Sequence, residues 1–154
     1  MSWDDIRFSC SVVLSIAAAS VNAEAVTKEM NFSGTWHLDM RSDAERKNKV
    51  ECGVAAFELL QSGKKISGSH WFATPGCGRI NEGGEGTVKG YVIGQTAFLV
   101  VTSGRNGTIV AGKADRVGSS LRWKVLDEIR AGEPNGDSPL ILHQGTLQRT
   151  PKAQ

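Results

Sequence analysis

The residues in this chain whose types suit chemistry are few and scattered. His37, His70 and His143 fall in three separate strand-like segments. Imidazole suits zinc or copper, but no histidine or cysteine pair stands at the short spacing of a metal motif. Partly exposed strand histidines are the ordinary reading, so no metal and no cofactor is expected. Nor is there a Gly-x-Ser-x-Gly nucleophile turn, and Gly83-Gly84-Glu85-Gly86 lacks the lysine and following helix of a phosphate cradle. The acids Asp39, Glu58, Glu82 and Glu85 fall in loops or on polar faces, where solvation is their default role. No catalytic residue is assigned, and no enzymatic activity is expected.

Aromatic side chains make the more promising set. Trp36, Trp71 and Trp123 each combine a large apolar surface with one N–H donor, the combination that small-ligand pockets use. Trp36 and Trp123 alternate with apolar neighbours and are expected to face inward; Trp71 shares its face with Ser67, Ser69 and Ala73, which leaves its direction open. Phe57 and Phe98 are expected to join the tryptophans around an interior ligand. The competing reading is that all five are ordinary core.

What holds such residues in place begins with export. Residues 1–23 read as a signal peptide: Phe8 to Ala19 carries no charge, and Val21 and Ala23 are small residues before Glu24. The acidic start, with Asp4 and Asp5 against Arg7, departs from the usual positive beginning. The apolar run is too short for a membrane helix, so no stable span is expected in the mature chain. Removing two acids and one base takes the net charge from +2 to +3. That mild balance, without a basic stripe interleaved with aromatics, gives no case for nucleic acid. The mature chain keeps only Cys52 and Cys77, expected to form a disulfide in an oxidising compartment, periplasmic or secreted.

Residues 24–31 are a polar lead-in, and 32–149 form one domain before a tail at 150–154. Its 18 glycines in 154 residues exceed the usual ~7% and favour strands and turns over helices. Gly68, Gly90 and Gly112 stand at equal intervals within ISGSHW, TVKGYV and IVAGKA, the spacing of a meander of antiparallel hairpins. Alternation and turn signals place strands at 34–40, 55–61, 66–73, 87–93, 96–102, 108–114, 121–126 and 139–147. Long connections fall at 41–54, 74–86 and 127–138, the first as a solvated loop or one polar helical turn. Eight strands can close into an antiparallel up-and-down β-barrel just filled by side chains or holding one small ligand, and closure removes exposed edges. The three glycines are expected to let strands bend or a neighbouring backbone approach.

The Gly34-Thr35-Trp36 opening strand, followed by a strand, a short turn and Ile66-Ser67-Gly68-Ser69-His70-Trp71, resembles the avidin and lipocalin group of eight-stranded barrels. The resemblance spans most of residues 32–149. It implies a calycin-type barrel, binding without catalysis, and Trp36 at the closed end of the barrel or near its ligand. The polar residues that avidins array against biotin have no match after Gly-Thr-Trp, where His37-Leu38-Asp39 stands, so biotin is not implied. Two functions follow as expectations: a small, partly apolar ligand inside the barrel, or a protein partner held on the long loops, as in an inhibitor or immunity-type protein, with Arg79 and Arg105 as contacts.

Overall fold

The computed structural model describes residues 30–150; the expected signal peptide, most of the expected lead-in and the last four residues lie outside them. The described chain is all-β. Nine strands and one short helix follow in order: β1 (Gly34–Asp39), α1 (Asp43–Lys47), β2 (Cys52–Ser62), β3 (Lys65–Pro75), β4 (Ile80–Asn81), β5 (Val88–Ile93), β6 (Thr96–Thr102), β7 (Ile109–Val117), β8 (Ser120–Arg130) and β9 (Gln144–Arg149). Every barrel strand pairs antiparallel with its sequence neighbours, and β1 also pairs with β9, with Trp36 opposite Arg149 and His37 opposite Gln148. The circle therefore closes at eight strands, with β4 a two-residue addition on β3.

Alternation builds this barrel. Along β6, Ala97, Leu99 and Val101 are buried while Phe98 and Val100 face outward, because successive strand residues point to opposite faces. The inward set from all strands makes one core, with Trp36, Phe57, Leu99, Leu121, Trp123 and Leu147 almost wholly removed from water. The evenly spaced glycines lie inside it. A Cβ on Gly68 would stand 1.9 Å from the carbonyl oxygen of Glu58, and one on Gly112 would stand 2.2 Å from the Trp123 ring. Close approach, one of the two roles expected, accounts for these contacts.

The two rims differ. The tight turns at 62–65, 93–96 and 117–120 lie at one end, where the chain also enters at residues 30–33. At the other end are the long connections. The first holds α1, started by a capping box in which Ser42 and Glu45 bond each other's backbone amides. The Cys52–Cys77 disulfide ties the start of β2 to the turn after β3.

Four expectations are corrected. Strand two begins at Cys52, earlier than the 55 expected. Strand seven runs to Arg130: two register shifts against β7 let the charged Asp127-Glu128-Ile129-Arg130 segment stay in the ladder. Strand eight is Gln144–Arg149, while residues 139–143 leave the sheet, with Leu140 in the left-handed region at φ 49°. Phe98, 43% exposed, lies outside the barrel.

Candidate functional site

At the tight-turn end the barrel is sealed by Trp36. Its indole Nε1 donates to the Phe32 carbonyl at 2.9 Å, and Phe32 is itself fully buried. The guanidiniums of Arg116 and Arg149 lie 5.4 and 5.5 Å from its ring centroid, within cation–π range. Arg116 also donates to the Asn31 and Gly118 carbonyls, and Arg149 to that of Ser33. Trp36 thus stands at a closed end, one of the two places implied by the resemblance.

At the long-loop end the irregular segment 139–143 fills the mouth. Leu140 and Leu142 are buried. Trp123 Nε1 donates to the Leu142 carbonyl at 2.6 Å, and the Leu142 amide donates to His70 Nε2 at 3.3 Å. Asn81, fully buried, donates to the Pro139 and Leu140 carbonyls and accepts from the amides of Gly83 and Gly104. Ser103 donates to the Pro139 carbonyl at 2.7 Å. Asn81 and Ser103 from two other connections, with His70 on β3 and Trp123 on β8, therefore hold the backbone of this one, because a segment outside the sheet must find its hydrogen bonds elsewhere.

His70 is the buried titratable group of this end. Its ring packs edge-on against Phe57 at 4.7 Å, and Phe57 in turn packs on Trp123 at 5.1 Å. Burial pushes its pKa down to about 4, so the ring is neutral near pH 7. Accepting at Nε2 places the single ring proton on Nδ1, and buried Nδ1 has no hydrogen-bond partner among the described residues.

Outside this mouth, Asp137 joins two loops. Its carboxylate accepts from Arg105 Nε at 3.1 Å and from Arg79 Nη2 at 2.9 Å, and its carbonyl accepts from Asn106. The Arg105 hydrogen bonds, with help from Arg79, hold the Asp137 carboxyl below the usual carboxylate range. Arg79 and Arg105, expected as partner contacts, thus meet on one acid and are fixed in place.

The other expected residues sort by face. Trp36, Phe57 and Trp123 lie in the core, and both buried indole N–H groups are bonded to the chain's own backbone. Trp71 pairs with Ala56 on the outer face and is half-buried. His37 lies on β1 and bonds Thr150, while His143 lies in the segment before β9. Among the described residues no group of three or more His, Cys, Asp or Glu side chains is arranged to hold a metal, and no helix is long and apolar enough to cross a membrane. Asn81, Asp137 and the role of Leu142 were not visible in the sequence reading. The one signal was polar residues of turn type, Asn81 and Asp137, inside glycine-rich connections.

Comparison with protein families, with curated proteins and with solved structures finds no match. The closed eight-stranded antiparallel meander is compatible with the barrel of avidins and lipocalins.

Proposed function

We propose that this chain is an exported, non-enzymatic binding protein that holds a partner protein on the long-loop end of its barrel, in the manner of an inhibitor or immunity-type protein. The observation that carries this reading is the cross-linking of that end. Asn81, Ser103, Asp137 and the Cys52–Cys77 disulfide fix loops that would otherwise be separate. Fixing loops in advance lowers the ordering cost that association must offset. The disulfide and the apolar leader support a periplasmic or secreted location. The test is capture of a partner from the protein's own compartment, repeated with Arg79→Ala/Arg105→Ala. Loss of the partner in this variant, with retention in a Lys64→Ala/Gln95→Ala control at the tight-turn end, is expected; equal capture by both overturns the reading.

A second reading, a small, partly apolar ligand in the interior, has one observation in its favour. The buried Nδ1–H of His70, beside Phe57 and Trp123, is a donor without an acceptor. Such a ligand takes the place of Leu142 and offers an acceptor to that proton.

A further inference from the structure

The outer face of β2, β3, β5 and β6 carries a feature that neither reading uses. Of the eight exposed large apolar side chains among the described residues, five gather there: Leu60, Tyr91, Ile93, Phe98 and Val100. Strand register makes the patch continuous. Leu60, Ser67, Lys89 and Val100 form one row across four strands, and Lys65, Tyr91 and Phe98 lie in the next. Scattered exposed apolar residues are ordinary, but a contiguous patch rimmed by polar groups marks an interaction site. Between Leu60 and Tyr91 the small Ser67 leaves a groove of about 450 Å³ with Ile66 and Gly90 in its lining, and Lys65 and Lys89 also line it.

Lys65 and Lys89 set the charge of the occupant of this groove, while Glu58, Glu82 and Glu85 line the neighbouring hollow on the far side of Leu60 and Ser67. Among the described residues no carboxylate lies within ion-pair distance of Lys65 or Lys89, whereas Lys113, opposite Phe98 on β7, has Asp115 at 3.7 Å. We propose that this face docks an acidic, aromatic-bearing segment of a partner protein, with an apolar side chain in the groove and flanking carboxylates on Lys65 and Lys89. Such an arrangement has the aromatic centre and charged rim of a protein interface. Asp115 and Asp127, on the outer face beside Lys113 and opposite Ala111, disfavour a uniform polyanion such as nucleic acid or an anionic membrane. The like charges of Lys65 and Lys89 disfavour a second copy of the same face.

The probe is a random copolymer of glutamate and tyrosine, titrated into the full protein with backbone amide shifts followed by NMR. Shifts centred on Lys89, Tyr91, Phe98 and Val100 are expected. Binding is expected to weaken as added salt shortens the Debye length from ~10 Å toward ~3 Å. The exposed-site variant Lys65→Glu/Lys89→Glu/Phe98→Ser should bind at least about tenfold more weakly, since charge reversal and loss of an aromatic anchor act together, while its Tm shows that the barrel is intact. The proposal is overturned by absence of binding, by unchanged affinity in the variant or by shifts confined to the long-loop end. Equal binding of polyglutamate without tyrosine also overturns it, as does preferential binding of phosphatidylglycerol vesicles or a single-stranded oligonucleotide. Concentration-dependent dimerisation through this face in light scattering counts against it too.

Discussion

At the tight-turn end, closure is by an aromatic ring between two arginines, whose long side chains cover Trp36 and whose guanidiniums reach the entering backbone. At the long-loop end, closure is by backbone: residues 139–143 enter the mouth, and Asn81, His70, Trp123 and Ser103 bond their carbonyls and amides. The first end is made of packing, which resists change in any of its parts. The second is made of hydrogen bonds that two loop residues, Asn81 and Ser103, and two strand residues, His70 and Trp123, make to one irregular segment.

Substitution at Trp36 is the largest expected effect. Trp36→Ala removes a fully buried ring and should cost about 3–5 kcal/mol in urea unfolding; a loss below about 0.5 kcal/mol, the range of surface substitutions, erases the contrast between the ends. Next comes the disulfide. Cys52→Ala/Cys77→Ala opens a loop with a sequence separation of 25, and should cost roughly 3 kcal/mol. Faster amide exchange should be confined to the long-loop end.

Acid probes the same end from within. The folded pKa of His70 is lowered to about 4 from 6.5, so the unfolded chain takes up the proton first. Its contribution is fully present above about pH 6.5 and is lost as pH falls toward 4, by roughly 3 kcal/mol. His70→Gln should flatten stability across that window; an unchanged slope would assign the acid sensitivity to other groups. The smallest effect is expected at Asp137, whose ion pairs are near the surface. Asp137→Asn should leave Tm nearly unchanged, since such pairs contribute little, but should speed amide exchange at 103–107 and 134–138.

The sequence reading reached the barrel because its signals are local: alternation, turn residues and glycine spacing are properties of a few neighbours. It misplaced the last strand because Pro139-Leu140-Ile141-Leu142 is apolar enough to read as one, while the groups that pull it out of the sheet, Asn81 and His70, stand some sixty and seventy residues away in sequence. It read Asp127 to Arg130 as loop from charge alone, and the bulges that keep those residues paired leave no mark in composition. Phe98 was misdirected because Ala97 to Val101 is apolar on both faces, so alternation gives no parity. Trp36 and Trp123 face inward, as their alternation indicates, but where an indole N–H finds its acceptor depends on tertiary approach.

Native mass spectrometry of the protein released gently from its own compartment tests the central claim most directly. The account predicts the polypeptide with its cysteines bridged, alone or with a macromolecular partner that is lost in the Arg79→Ala/Arg105→Ala variant. A retained small molecule, released on substitution of Trp123 or His70 and unaffected by the loop variant, would contradict it.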